Sequence, residues 1–351
     1  MRRSPGTLSA IALALAALLG ASTAAAQTTP SHVVKPIVLL LLDTSGSMEY
    51  DATSPGVEIG DADDYLTPPT CSAVPGESGK SRFIVAQEVL TGNYENYTCV
   101  QEDRNVMAIP PCPREDCTYP VPHIRPVGTQ ATDGLIDRSL TDFKFGVMTF
   151  DTRSSPAINE GGGYSYGDEN GQNYGARNEL APTGGFVKPS LSDDASDVAA
   201  RNQLVQQSIQ SAIPYGGTPI APILYDAWYY FRNDPEILAD PYIDCRKKTV
   251  ILFTDGRANL GEDDSPYGSS VSRAQALRAL GVDVYVIGFK LADGVSTIAE
   301  DIATANGSLD WPYFRADNSQ DLVLAFTQIL GNLTVATQSR TKTVVTNDTG
   351  N

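Results

Sequence analysis

IVLLLLDTSGSM, residues 37–48, decides the fold. Six aliphatic residues in a row show no polar alternation, so both faces of an extended segment here would be buried. That is the pattern of a central strand in a parallel sheet covered on both sides. The run ends abruptly in Asp43, Thr44, Ser45, Gly46 and Ser47. A buried strand that finishes in a carboxylate and alternating hydroxyls is either a polar turn or a holder of something. Alternate spacing at 43, 45 and 47 suits a loop curling round one ion, and Gly46 permits the tight curl.

The rest of the chain supplies a sheet for that strand. Strand-like runs recur at 143–150 (FKFGVMTF), 248–256 (KTVILFTDG) and 282–289 (VDVYVIGF). Between them lie helical patterns. Residues 80–90 place Phe83, Ile84, Gln87 and Leu90 on one face, and 196–213 carry the stripe Val198, Val205, Ile209 and Ala212. Residues 219–231 align Ala221, Leu224, Tyr225 and Trp228, with prolines confined to the start. A helix over 271–281 stops at Gly281, and one over 319–330 turns Leu322, Phe326 and Ile329 inward. Strands alternating with helices predict an α/β fold: an open, doubly wound, mostly parallel sheet with helices on both faces. Ligands of such sheets sit at the carboxyl ends of the strands, where Asp43 and Asp255 both fall.

Three stretches break the rhythm and read as insertions on the sheet's upper rim: about 50–78, 92–138 and 151–190. Residues 27–35 read as a linker, and the tail 336–351 is polar. At the N-terminus Arg2 and Arg3 precede the apolar run LSAIALALAALLG and a small-residue segment, which predicts an export signal over residues 1–26. The apolar run is short for a membrane span, so the exported protein is expected in the periplasm, at the cell surface or secreted, without inserting into a membrane itself. Export makes disulfides the expected fate of Cys71, Cys99, Cys112, Cys117 and Cys245, as two bonds with one cysteine over, and the sequence does not choose the pairing. The chain has 351 residues with 25 basic and 42 acidic side chains, a net charge of −17. Such a surface repels nucleic acid and anionic membranes, which removes both as partners.

Two more pieces of sequence join the opening motif. Thr218, in YGGTP, starts a helix, and Asp255, in LFTDG, ends a strand. Asp43, Ser45, Ser47, Thr218 and Asp255 all end in oxygen, the donor that hard divalent cations prefer. Magnesium (Mg²⁺) is the expected ion, with Mn²⁺ or Ca²⁺ as alternatives. Three of the five donors are neutral hydroxyls. Where a carboxylate binds it through water, a cation held this way keeps positive charge and an open position, which a carboxylate from a partner protein or surface would fill.

D-x-S-x-S after an apolar strand, a threonine before a helix and T-D-G after a later strand together resemble the von Willebrand factor type A domain. They match all five positions of its metal-ion-dependent adhesion site, and the resemblance covers roughly residues 36–335 apart from the insertions. It implies a Rossmann-like fold and adhesion through a bound metal. More narrowly, an export signal directly before this domain, cysteine-bearing insertions, Cys245 ahead of the T-D-G strand and Ser339–Thr341 after the last helix resemble the N-terminal region of tip adhesins of bacterial type IV pili. That implies attachment, pilus assembly and pilus subunits as partners. Those proteins continue into a large β-propeller with its own calcium site, which this chain does not reach. The alternatives are a structural domain whose metal only ties loops together, or a secreted protein of this type unrelated to pili.

Rival readings are weaker on the residues. LLDTSG approaches the D-[ST]-G motif of aspartic proteases, but Ser45 stands where glycine is needed and TDG has the wrong order for a second copy. Only His32 and His123 are available as histidine bases, so the expectation is not an enzyme. Cys112, Cys117 and His123 lack a second pair at zinc spacing. Asp61, Asp63 and Asp64 lack the glycine and distal glutamate of a calcium loop. Trp228 and Trp311 read as core.

Overall fold

The computed structural model describes residues 33–50, 52, 80–105, 118–151, 166, 175–176, 186–212, 214, 217–256, 258–259, 261–263, 267–291, 296–305 and 313–338. The described residues from 34 onward form one compact unit. Strand β1 (Ile37–Leu42) is buried at every position. Its neighbours are β4 (Lys144–Asp151) on one side and β6 (Lys248–Thr254) on the other, both parallel to it. Beyond β6 follow β7 (Val282–Phe289) and β8 (Tyr313–Ala316), also parallel. Beyond β4 lies the short antiparallel edge β5 (Gly175–Ala176). The six-stranded order is β5-β4-β1-β6-β7-β8. The chain therefore moves outward from β1 to one edge, returns, and moves outward to the other. The reversal creates a topological switch point between the carboxyl ends of β1 and β6, where doubly wound sheets bind ligands. The expected α/β architecture is the observed one.

Alternation along β1 divides the core in two. Val38, Leu40 and Leu42 face α1 (Arg82–Thr91), α3 (Ala195–Ser211) and α8 (Ser319–Gln338), packing on Phe83, Leu90, Val205, Ile209, Phe326 and Ile329. Ile37, Leu39 and Leu41 face α4 (Ile220–Asn233), which the single turn α5 (Pro235–Leu238) follows, α6 (Ser270–Ala279) and α7 (Ser296–Thr304). Each such side chain contributes about 1.5–3 kcal/mol on full burial, which is why no polar residue interrupts the strand.

Several expectations change. The stretch 92–138 is not a rim insertion. It folds into a long antiparallel hairpin, β2 (Tyr94–Asn105) with β3 (Thr118–Gln130), followed by the single turn α2 (Leu135–Arg138). Its root is at the far end of α1, which by then has carried the chain about 15 Å from the strand ends. The root is closed by Gln130 Nε2, which donates to Thr91 Oγ1 and to the Gly92 carbonyl, each at 2.7 Å. Gly92 has φ +108°, and a Cβ there would lie 1.9 Å from the Ala131 oxygen, so only glycine fits. The end of the 151–190 stretch belongs to the sheet, since Val187 bridges Val147 of β4. The last helix continues to Gln338, beyond both its expected end and the expected start of the polar tail. On α4 the buried stripe is Ile220, Ile223, Leu224, Ala227, Tyr230 and Phe231. Tyr225 and Trp228 sit half-buried at its flank, because pairs three and four apart toward the sheet outcompete them; Trp228 packs at the margin of the core under Arg232.

The amino ends of the strands carry a buried charge cluster. Arg246, 3% exposed, reaches Asp193 at 2.7 Å and Asp240 at 2.6 Å, and Lys144 lies 3.4 Å from Asp193. A fixed planar fork satisfies both carboxylates in a way that a lysine at position 246 would not.

Candidate metal centre

At the opposite rim, β1 ends in Asp43, whose amide donates to the Phe253 carbonyl at 3.0 Å and so keeps the chain alongside β6 for one more residue. The next residues alternate. Thr44 turns toward β4, where its hydroxyl accepts from the Phe150 amide at 3.0 Å. Met48 is wholly buried in the core. Asp43, Ser45 and Ser47 face the other way, toward the switch point. Asp43 Oδ1 accepts from the Ser45 amide at 2.8 Å, Ser45 Oγ lies 3.1 Å from Ser47 Oγ, and a short 3₁₀ turn over Gly46–Glu49 fixes the curl.

Asp255 arrives from β6. Ser47 Oγ donates to its Oδ1 at 2.7 Å, and Arg82 Nη1, from the first residue of α1, donates to its Oδ2 at 2.6 Å. The residue before it, Thr254, donates from Oγ1 to Asp43 Oδ2 at 2.6 Å and accepts from the Gly256 amide at 3.2 Å. Thr218 enters from the loop before α4. Its amide donates to Asn259 Oδ1 at 2.6 Å, and the Asn259 amide donates back to the Thr218 carbonyl at 3.2 Å. That reciprocal clip sets Thr218 beside the β6 loop. The sequence reading gave no role to Thr254, Asn259 or Arg82. Arg82 did carry a signal: a cation at the first position of a helix opposes the helix dipole, a placement that helix stability alone disfavours.

All five predicted residues therefore meet at one place. Asp43 is fully buried, Ser45, Thr218 and Asp255 are 1%, 4% and 5% exposed, and Ser47 is half-buried at the mouth. The fit to a cation is testable on this geometry. A Cβ built on Gly256 would lie 3.6 Å from Ser47 Oγ and 3.8 Å from Thr218 Oγ1, so the glycine leaves open the space that both hydroxyls line. Among the described residues no three His, Cys, Asp or Glu side chains gather into a metal-holding group. A cation here would take two carboxylates plus hydroxyls, a set that suits Mg²⁺ or Mn²⁺ and does not suit zinc.

The electrostatics point the same way. Burial pushes the Asp43 carboxyl up to about 7, the nearby Asp255 charge pushes in the same direction, and the hydrogen bonds from Ser45 and Thr254 only partly oppose them. Burial also raises Asp255, against the pull of the Arg82 charge and its hydrogen bond. Among the described residues, two carboxylates in one dry place meet a single guanidinium and lack one counter-charge.

The other expected sites are not brought here. Cys245 is exposed at the opposite rim, its sulfur 3.3 Å from the Tyr242 carbonyl. The side chains of Cys71, Cys99, Cys112, Cys117, His123, Asp61, Asp63, Asp64 and Trp311 lie outside the described residues, as do the export signal at 1–26 and most of the 50–78 stretch.

No family model matches the chain, and no curated protein matches it. Among solved structures it is similar to the pilus adhesin SpaC of Lactobacillus rhamnosus GG, at 15% identity and a TM-score of 0.39, over 87% of this chain but only 31% of that one. It is similar to the von Willebrand factor domain of the type V pilus tip protein Mfa5 of Porphyromonas gingivalis, at 11% identity and a TM-score of 0.38, over 87% and 97% of the two chains. It is also similar to the manganese-loaded TRAP protein of Plasmodium vivax, at 14% identity and a TM-score of 0.35, over 84% and 72%. At these values the likenesses carry no weight for the site, which stands on its own geometry.

Proposed function

We propose that this chain is an exported adhesion module of the von Willebrand factor A type. It holds a divalent cation, magnesium first, at Asp43, Ser45, Ser47, Thr218 and Asp255, and docks an acidic group of a partner protein or surface through that ion. The observation that carries the reading is the meeting of two carboxylates and three hydroxyls, from three separate segments, at the switch point of the sheet. The cation would supply an open coordination position, and the three hydroxyls add no negative charge to that of Asp43 and Asp255.

The same geometry disfavours a cation that merely ties loops. Thr254 already joins the end of β6 to Asp43, Ser47 joins the β1 loop to Asp255, and Asn259 clips the Thr218 loop. Metal is not needed for that work. The reading is a binding module and not an enzyme. On the narrower form of the proposal the module sits at the tip of a type IV pilus, with pilus subunits among its partners, and acts in attachment and assembly. Among the described residues no helix is long and apolar enough to cross a membrane.

Titration calorimetry of the purified protein with Mg²⁺, Mn²⁺ and Ca²⁺, beside Asp43→Ala, tests the site. Retention of the Mn²⁺-loaded protein on an immobilised polyglutamate surface, against polyglutamine and against chelator, tests docking. Stoichiometric binding lost in the variant, with chelator-sensitive retention on polyglutamate alone, is the expected result. Equal metal binding by the variant would sink the proposal.

A further inference from the structure

We infer that Arg82 sets the charge balance of this site, and that it is the residue which keeps the cation-loaded cluster positive enough to attract an acidic partner. The inference rests on the metal-site reading above and adds to it a residue that the five-donor motif does not contain.

Arg82 is built into the site from its surroundings. Its Nη1 lies 2.6 Å from Asp255 Oδ2, with the two side chains 8% and 0% exposed. Its amide donates to the Tyr50 carbonyl at 2.9 Å, and its guanidinium carbon stands 5.4 Å from the centre of the Tyr50 ring. Ser81 caps α1 just before it, accepting from the Ile84 amide at 3.2 Å. Its Nε is buried with no hydrogen-bond partner among the described residues. A buried arginine at the amino end of a helix, with one nitrogen unsatisfied, is a poor stabilising device. Among the described residues its one strong contact is with Asp255.

That contact divides the labour of the Asp255 carboxylate. Oδ2 is taken by Arg82, while Oδ1 faces Ser47 and the cradle. A divalent cation facing Asp43 and Asp255 makes a neutral set. Arg82 adds one positive charge a single carboxylate away, so the loaded cluster, counted over the described residues, is net positive. The chain as a whole carries −17, so its long-range field repels an acidic partner. Attraction must come from a local excess of positive charge, and Arg82 provides it. The same charge repels the metal, so it weakens cation binding while strengthening capture of the acid. Its removal must move the two affinities in opposite directions.

The test is Arg82→Gln beside Arg82→Lys, in the full chain, with Mn²⁺ affinity read by calorimetry and capture of the Mn²⁺-loaded protein read on immobilised polyglutamate. Arg82→Gln is expected to bind Mn²⁺ about tenfold more tightly and polyglutamate about tenfold more weakly, the scale on which groups behind metal ligands act. Arg82→Lys retains the charge and stays within about threefold of the wild type on both readouts. If Arg82→Gln weakens both, or neither affinity moves, Arg82 only shapes the pocket and the inference is overturned. Should Arg82→Gln fail to fold, Arg82→Lys decides: losing both affinities with the charge intact overturns it equally. A wild type that binds no Mn²⁺ overturns the site reading itself and this inference with it.

Discussion

Thr254→Val removes the hydroxyl behind the site, and with it the hydrogen bond that reaches Asp43. Thr254 is 1% exposed, and its hydroxyl donates to Asp43 Oδ2 at 2.6 Å while accepting from the Gly256 amide at 3.2 Å. Valine has the same shape and is at home as the last residue of a strand, so β6 keeps its course. What is lost is a donor to a carboxylate and an acceptor for the Gly256 amide, and only the first loss differs between the cation-loaded and cation-free protein. A hydrogen bond to a charged group contributes about 1.5–3 kcal/mol, and one between neutral groups about 0.5–1.5 kcal/mol. With a cation present Asp43 must be ionised, and the bond has the larger value. Without one, burial drives Asp43 toward its neutral form, and the bond has the smaller. The difference of about 1.4 kcal/mol corresponds to a tenfold loss of metal affinity.

Calorimetry with Mn²⁺ near neutral pH measures that loss, and urea denaturation without cation measures the accompanying destabilisation, expected at about 1 kcal/mol. The two numbers separate the cases. A variant that unfolds more easily but binds Mn²⁺ within about twofold of the wild type would show that Asp43 is no ligand, or that Thr254 does not orient it. Either result refutes the reasoning.

Two further outcomes concern the scaffold. Asn202 on α3 is fully buried; its Oδ1 accepts from the Phe145 amide at 3.0 Å and its Nδ2 donates to the carbonyls of Leu140 and Phe143 at 2.8 Å each. Asn202→Leu keeps the branched heavy-atom skeleton but orphans three backbone groups, so urea denaturation should show a loss of about 3 kcal/mol with metal affinity unchanged. Arg246→Gln leaves Asp193 and Asp240 without their fork and should lower stability by about 3 kcal/mol at neutral pH. Burial pushes Asp240 up, but the hydrogen bonds and charge of Arg246 outweigh it and hold the carboxyl below its ordinary value. The unfolded chain therefore binds the extra proton first, and the stabilisation is present above the ordinary carboxylate pKa and lost as pH falls through the folded one. Melting temperature against pH should show a shallower acid limb in Arg246→Gln than in the wild type.

The strand that opens the argument was legible because its neighbours impose a single pattern on it. Burial on both faces allows nothing but aliphatic residues, and Ile37–Leu42 show it. The long helices were legible through their stripes, and the five oxygen residues through their place at strand ends. The edges of the sheet were not. β5 has two residues and β8 four, too few to display a period. The hairpin was hidden for another reason: β3 holds Pro120, Pro122 and Pro126, which count against a strand. They occupy alternate positions and pair with Asp103, Gln101 and Tyr97. Their missing amides therefore all fall on the same edge, which leaves the inter-strand bonds to the residues between them. On α4 Ala221 and Leu224 are buried as expected, but Tyr225 and Trp228 lie at the flank; in the sequence they look as apolar as the residues that face the sheet.

What no spacing rule exposed was the charge balance, which needs both rims in view. At the amino ends of the strands, Asp193 and Asp240 meet Arg246 and Lys144, two carboxylates with two cations. At the carboxyl ends, Asp43 and Asp255 meet Arg82, and among the described residues Asp43 is contacted by neutral donors only. The first cluster is closed and serves stability. The second is one positive charge short, in surroundings too dry to leave a carboxylate unpaired without penalty. A proton on Asp43 would settle the deficit and leave the rim inert. A divalent cation overshoots it by one charge, and that surplus, held where Ser47 opens to solvent, is what an acidic partner would meet.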